Sequence, residues 1–361
     1  MPRSAMMHSF AEVPQINNPR STFDRSAPIK TAFDADYLIP LLVDEVVPGD
    51  TYNVDFSFFA RLATPLHPIM DNMYFETFFF FVPNRLVWDN WEKLLGARDN
   101  PADSIDFTVP TSTATGTVAV GSIWDYMGLP LGSFNFADTS ILAFRAYNLI
   151  FNEWFRDQNV DNSVTVNTDN GPDATGDYAL LKRRKRHDYF TASLPSPQKG
   201  DAVSLDLTGL VPVEGLGVTV SKARDSAGPD TIDETENAAT SWPTGSFNLD
   251  DTGVRMESDA SNNPLIYANM SRANVTYTVN DLRLAVQTQR LLERDARAGT
   301  RINETILAHF GVVVPDFRVQ RPEFLGGGSS PVNVTPVANT SEDATSNQGD
   351  LTAFGTVSGT H

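Results

Sequence analysis

The chain has no cysteine, and that absence removes disulfide staples, thiolate metal sites and cysteine nucleophiles together. Stability has to come from packing. Histidine is scarce: His8, His67, His187, His309 and His361 are the five present, and none stands in the two-histidine spacing of an HExxH zinc site. There is no GxSxG elbow and no GxxxxGKS/T phosphate loop. Gly215 and Gly217 begin a GxGxxG pattern, but Val220 sits where its third glycine belongs, so the stretch reads as a turn. Long apolar runs are also missing. The densest, Phe78 to Val82, is a short strand's worth and falls far below the ~18 residues of a membrane helix. The opening MPRSAMMHSFAEVPQINNPR carries arginine but no apolar core and no small-residue cleavage site, so it does not read as a secretory leader, and folding in a cytoplasm is expected. On that reading the Asn-x-Ser/Thr triplets at Asn269, Asn274, Asn303, Asn333 and Asn339 are chance in an Asn- and Thr-rich chain. Basic charge is short as well. A net charge of −18 argues against a surface that grips nucleic acid over its whole extent, so any DNA contact must be local.

What the 361 residues do contain is 41% hydrophobic content, enough for one large core or two, with 23 phenylalanines in short runs between loops of Asn, Asp, Thr, Ser, Gly and Pro. That balance predicts a mainly β protein with long loops. Residues 1–37 are polar and proline-punctuated, the pattern of an extended arm that gains order by lying on a neighbour. An apolar run from Leu38 to Val47 ends at a turn over Pro48, Gly49 and Asp50. Tyr52, Val54, Phe56, Phe58, Ala60 and Leu62 then alternate with more polar residues, the two-residue period of a half-buried strand. Met73 to Val82 is apolar on both faces and predicts a central strand, covered on each side and closed by Pro83.

Two helices follow from spacing. Arg85 to Gly96 places Leu86, Trp88, Trp91, Leu94 and Leu95 at mostly helical intervals before a glycine stop. A second begins near Thr139, and its Ile141, Leu142, Phe144, Tyr147, Leu149, Ile150, Phe151, Trp154 and Phe155 leave almost no polar face, so it must be enclosed or held between subunits. Residues 200–280 are turn-rich, and their acidic residues well outnumber their basic ones, which reads as an insertion with its own order or one that depends on partners. Asn280 is placed to cap a further helix carrying Leu282, Ala285, Val286, Leu292 and Ala296 and stopping near Gly299. The chain has no internal repeat.

Candidate chemistry is thin. Asp161, Asn162, Asn167, Asp169, Asn170, Asp173 and Asp177 gather oxygen ligands in one loop, but the glutamate and spacing of a calcium helix-loop-helix are missing, and Asx turns explain the loop better. The carboxylate pairs Asp34 with Asp36 and Asp44 with Glu45 are neighbours in sequence, which says nothing of a cleft. No catalytic, cofactor-binding or metal residue is assigned, and no cofactor is expected. The one strong charge feature is Lys182, Arg183, Arg184, Lys185 and Arg186, five cations in an acidic chain. A contact to DNA phosphates, a contact to a neighbouring subunit and a solvated loop all remain open for it.

Read as strings, several segments carry more than their composition. Leu38 to Gly96 (LIPLLVDEVVPGDTYNVDFSFFARLATPLHPIMDNMYFETFFFFVPNRLVWDNWEKLLG) resembles the opening of gokushovirus (Microviridae) major capsid proteins. FRAYNLIFNEWFRDQN (Phe144 to Asn159), RHDYFTASLPSPQKG (Arg186 to Gly200) and the stretch Leu291 to Val334 follow in that family's order. Two departures stand out: Asp36 occupies a place more often glycine, and Ala298 precedes Gly299 where two glycines are common. The resemblance implies an eight-stranded antiparallel jelly roll of viral coat type with large loop insertions and a few helices. It also implies self-assembly into a T=1 icosahedral shell around packaged single-stranded DNA of a bacteriophage, with assembly in the bacterial host cytoplasm and residence in the virion. Expected partners are further copies of the chain, the DNA, phage scaffolding and small DNA-binding proteins, and a host surface receptor. No membrane insertion is expected.

On this resemblance, residues 1–37 are the N-terminal arm, 38–199 the first part of the jelly roll, 200–280 a variable acidic insertion forming a protrusion at the three-fold axes, and 281–361 the continuation of the jelly roll. Family members run past the point where this sequence ends, so the closing C-terminal strands are expected to be missing from it, leaving open sheet edges. The chief alternative is a lectin-like β-sandwich binding module whose ligand site lies in 200–280. A hydrolase rests only on scattered carboxylates and ranks far below both.

Overall fold

A computed structural model describes residues 19–63, 69, 71–113, 115–186, 188–204, 213–214, 216–217, 255–256, 267–268, 278–338, 340 and 351–361. Most of the acidic insertion, and His8, His67 and His187, lie outside them. The chain divides into two compact units, Met1–Ala192 with Asp316–His361, and Ser193–Pro315. The described strands form small antiparallel sheets, accompanied by few helices.

In the first unit, strand β1 (Ser57–Arg61) pairs with β11 (Leu351–Thr360), which pairs in turn with β10 (Asn333–Ala338). The alternation read from the sequence holds in β1, where Phe58 and Ala60 are half-buried and Ser57, Phe59 and Arg61 are exposed. It reaches less far than expected. The ladder starts at Phe56, bonded to His361, so Tyr52 and Val54 share the pattern but lie exposed. A second sheet joins β2 (Tyr74–Phe81) to β9 (Glu323–Pro331), with a register shift between Phe79 and Phe80.

The expectation of a central strand at Met73–Val82 needs correction, because among the described residues β2 is paired along one edge only. Its two apolar faces are explained by aromatic packing rather than by flanking strands. Phe75 stacks on Phe58 of the other sheet with centroids 4.3 Å apart, while Phe78 and Phe80 meet Phe155 at 5.1 and 5.9 Å, edge to face. Close approach of β9 depends on Gly327, where a Cβ would fall 2.1 Å from the Thr77 carbonyl oxygen.

Helical content is shorter and more broken than the spacing suggests. The predicted helix over Arg85–Gly96 is a 3₁₀ turn at Asn84–Leu86 followed by a single turn, α1 (Trp91–Leu94), ended as expected at Gly96 with φ of 100°. The break follows from Trp88, which is buried and donates its indole N–H to Asn170 Oδ1 at 2.9 Å. A hairpin of β3 (Thr115–Val118) and β4 (Gly132–Asn135) brackets a short helix, α2 (Ile123–Tyr126), capped by the Ser122 hydroxyl.

The apolar helix expected near Thr139 is present as α3 (Leu142–Ile150), continued by one wider π turn over Phe151–Phe155. It is enclosed, as its composition requires. One side joins Val118, Ile123, Trp124, Phe136, Ile141, Phe144 and Tyr178, and the other packs Leu142 against Val87 and Trp88. What the apolar pattern hid is Arg145, fully buried on this helix. Its Nε and Nη2 donate to the two oxygens of Asp173 at 2.7 and 2.6 Å, and Nη1 donates to the carbonyls of Val87 and Asp169 at 3.0 and 2.9 Å. Tyr178 donates its hydroxyl to the same Asp173 carboxylate at 2.5 Å. The Asp173 main chain bonds Thr111 and Thr113, and its carbonyl takes the Ser112 hydroxyl at 3.0 Å. One buried ion pair thus ties α3 to three separate loops. Burial raises the Asp173 carboxyl, yet the bonds from Arg145 and Tyr178 outweigh it and hold the group below its ordinary value.

In the second unit, α4 (Val279–Arg297) and α5 (Ile302–Phe310) are joined by His309 Nε2 and Asp295 Oδ1, 2.5 Å apart. Two-residue pairings, β5 (Val213–Glu214) with β8 (Tyr267–Ala268) and β6 (Leu216–Gly217) with β7 (Arg255–Met256), accompany them. The cap of α4 is Thr278 rather than Asn280. Its hydroxyl accepts from Asp281 N, and the Asp281 carboxylate accepts in return from Thr278 N, a reciprocal pair that Asn280 cannot make from inside the helix.

Replacing Arg145 by Met leaves Asp173 buried without its counter-charge and should cost about 3–5 kcal/mol in urea unfolding; a loss under 1 kcal/mol would show that the pair is dispensable. Because the Asp173 pKa is depressed, its stabilisation is present above the ordinary carboxylate value and is lost as pH falls through the folded value. The wild-type melting temperature should therefore drop more steeply below about pH 4 than that of Asp173→Asn, measured by circular dichroism.

Candidate functional site

The start of the cationic run, Lys182 and Arg183, pairs antiparallel with Asp36–Leu38 at the end of the N-terminal segment. Leu38 N donates to the Leu181 carbonyl at 2.9 Å, Arg183 N donates to the Asp36 carbonyl at 2.6 Å, and Tyr37 pairs with Lys182 as an isolated bridge. Tyr147 of α3 pins both strands, donating its hydroxyl to the Leu38 carbonyl at 2.8 Å and accepting from Leu181 N at 3.0 Å. Burial pushes that phenol up to about 12, against the Leu181 N–H that favours its ionised form, so it stays a donor at neutral pH. Asp36 takes up a left-handed backbone, with φ of 74°. That geometry favours glycine, and aspartate is among the few side chains that tolerate it.

Each cation has a defined neighbour. Tyr74, Glu76 and Phe78 alternate along β2 and so share one face. Onto that face come two arginines: Arg183 and Arg186 both pair with the Glu76 carboxylate, Arg183 lies 5.0 Å from the Phe78 ring centre and Arg186 4.1 Å from that of Tyr74. Arg186 also donates to Ser329 Oγ of β9 at 2.7 Å. Arg184 pairs with Asp161, Lys185 with Asp188 at 2.7 Å, and Lys182 lies 5.2 Å from the Tyr37 ring centre. The Arg184 bonds hold the Asp161 carboxyl below its usual range, and Lys185 with the Thr191 donors does the same to Asp188. The run is therefore a fastened strand whose outer parts face solvent: Lys182, Arg184, Lys185 and Arg186 all remain exposed.

The oxygen-rich loop is brought together differently from a calcium loop. Asp173 and Asp169 are committed to Arg145, Asp161 to Arg184, and Asn170 to Trp88. No group of three or more metal-ligating side chains occurs among the described residues. Sequence reading missed Glu76, Tyr147 and the Tyr189–Phe190 pair beside the run. Glu76 was legible in principle, as the one acidic residue inside the aromatic strand YFETFFFF. Large apolar side chains also stand in solvent on described elements of both units, among them Phe23, Ile29, Tyr189, Phe190 and Phe317 in the first and Ile302, Phe310 and Val313 in the second. No helix among the described residues is long and apolar enough to cross a membrane.

Comparison with known proteins bears on what such surfaces serve. Residues 11–361 match the model of the family described as Capsid protein (F protein). The chain is 44% identical to "Capsid protein VP1" of Bdellovibrio phage phiMH2K, over 97% of this chain and 66% of that protein. It is 38% identical to "Capsid protein VP1" of Chlamydia phage 1, over 97% and 69% of the two chains, and 33% identical to that of Spiroplasma virus 4, over 97% and 67%. The chain spans about two thirds of the length of these relatives.

Glu76 takes two guanidinium groups on one carboxylate, so Glu76→Gln should cost about 1–3 kcal/mol in denaturant unfolding, the worth of charged hydrogen bonds lost. Arg184→Ala, which removes one exposed pair, should cost under about 1 kcal/mol. Equal effects would contradict the assignment of Glu76 as the fastening point.

Proposed function

The chain belongs to the Capsid protein (F protein) family, and from that premise we propose that it is a structural coat subunit whose activity is self-assembly. The observation that carries this reading is the set of large apolar side chains standing in solvent on described elements. Phe317 is 88% exposed, and Phe23, Phe310, Ile302 and Val313 are nearly as open. Side chains of this size are stabilised by about 1.5–3 kcal/mol each when buried, which in a coat subunit occurs against symmetry-related copies. The lectin-like alternative leaves them unexplained.

In this reading the shell is a T=1 icosahedron enclosing circular single-stranded DNA, formed in the bacterial cytoplasm with phage scaffolding and small DNA-binding proteins, and the architecture is an eight-stranded jelly roll. The antiparallel pairings β1–β11–β10 and β2–β9 are consistent with it. Residues 1–37 form the arm that lies on a neighbour, a role supported by the continuous exposure of residues 19–36. Residues 38–199 and 281–361 supply the jelly roll, and 200–280 the three-fold protrusion that meets the host receptor. Lys182, Arg183, Arg184, Lys185 and Arg186 contact the packaged DNA or a neighbouring subunit through their outer sides. No bond is made or broken.

The complete gene, expressed with its phage partners, should give icosahedral particles by electron microscopy, and their absence would sink the reading. Replacing the outward Lys182, Arg184 and Lys185 by Ser should reduce packaged DNA in a salt-dependent way. Packaging that is unchanged at every salt concentration would leave the run a structural strand alone.

A further inference from the structure

Immediately after the basic run the chain makes a tight turn around Asp188. Its Oδ1 accepts from Phe190 N at 2.9 Å, from Thr191 N at 2.8 Å and from the Thr191 hydroxyl at 2.9 Å, while Oδ2 takes Lys185 Nζ at 2.7 Å. This turn fixes the backbone of two aromatic residues and holds their side chains outward. Tyr189 is 92% exposed and Phe190 85%, with ring centres 5.5 Å apart and planes at 87°. An isolated exposed ring is ordinary, but two consecutive, highly exposed rings on a hydrogen-bonded turn, set edge to face so that one face of one ring meets the edge of the other, still offer ring surface for stacking.

Charge decides what that platform suits. Four of the five cations pair directly with three carboxylates, Glu76, Asp161 and Asp188, while Lys182 lies over the Tyr37 ring. Asp157 and Asp71 act on Arg184 and Lys185 from farther off. In a chain whose net charge is −18 the run is thus a local concentration of cations, which two arginines sharing Glu76 and an ion-unpaired Lys182 leave incompletely neutralised by direct pairs. Tyr189 is the fourth residue after Lys185, so their Cα atoms lie at most about 14 Å apart. Cations and exposed ring surface at that separation match the chemistry of an unpaired nucleic-acid strand, whose phosphates need the first and whose unstacked bases need the second. A duplex offers no free base faces to the rings.

We propose that Tyr189 and Phe190 form a base-stacking site for single-stranded nucleic acid, with Lys182, Arg184 and Lys185 holding the phosphates. The perpendicular rings take two different bases rather than one base between them. Sequence-tolerant binding follows, because every base has a stacking face. The proposal rests on the coat-subunit reading for its biological meaning, and it specifies the partner of the basic run as a strand with exposed bases.

The test titrates the full chain with an oligodeoxythymidine of about 20 nucleotides, an abasic strand of equal length and a duplex of equal length. Wild type should bind the base-bearing strand more tightly than the abasic one. Each of Tyr189→Ala and Phe190→Ala should weaken oligodeoxythymidine binding by roughly fivefold or more, with abasic binding unchanged. Tyr189→Trp should keep the affinity, which separates stacking from disturbance of the turn. The combined Lys182→Ser, Arg184→Ser and Lys185→Ser variant should weaken both strands and flatten the salt dependence. Wild type that does not distinguish the two strands, or alanine variants that bind oligodeoxythymidine as wild type does, would overturn the proposal. Alanine variants that bind the strand normally but form no particles would also overturn it, assigning the rings to a subunit contact. Failure of wild type to form particles bears on the coat reading and leaves the oligonucleotide result standing.

Discussion

The described first unit depends on one buried charge pair. Arg145 sits on a helix with almost no polar surface, and its guanidinium satisfies Asp173, Asp169 and the Val87 carbonyl at once. Neither member tolerates burial alone, since an isolated charge out of water costs several kcal/mol. Each therefore compels the other's position. The Asp173 main chain extends that constraint to residues 111–113, and Tyr178 carries it into the aromatic cluster around Trp124. A helix that apolar packing alone would leave free to rotate is thereby fixed in register with three loops.

The fixed helix in turn positions the charged surface. Tyr147 lies one turn of the same face-forming pattern beyond Phe144, and its neutral hydroxyl joins the Leu38 strand to Leu181. From there the chain enters the five cations at a defined register, and Glu76 receives two of them on the face of β2. Charge is thus used twice in the unit, once buried to hold the frame and once half-exposed to lay a basic strand along an aromatic sheet. The second use leaves outer cations and two aromatic rings in solvent, the surface at which we propose that a single-stranded partner binds.

Much of this was legible in the sequence. Alternation identified β1 at Phe58 and Ala60, the apolar spacing identified α3 and its need for enclosure, and the four blocks identified the family. What remained hidden depends on long-range pairing. The strand Met73–Val82 looked central because both faces are apolar, but the cover comes from Phe58 and Phe155, far away in sequence, which periodicity cannot register. Asn280 and Thr278 are both capping residues, and only the reciprocal bond with Asp281 chooses between them. Arg145 passed unnoticed within FRAYNLIF because its partner lies 28 residues on, in an oxygen-rich loop that reads as a set of Asx turns.

The central claim is that the exposed apolar side chains are held ready for other copies of the chain. Electron cryomicroscopy of the assembled particle at side-chain resolution tests it most directly. The account predicts that Phe23, Ile302, Phe310 and Phe317 are buried against neighbouring subunits; finding them still open to solvent in a closed shell, or covered by the remainder of their own subunit, would contradict it.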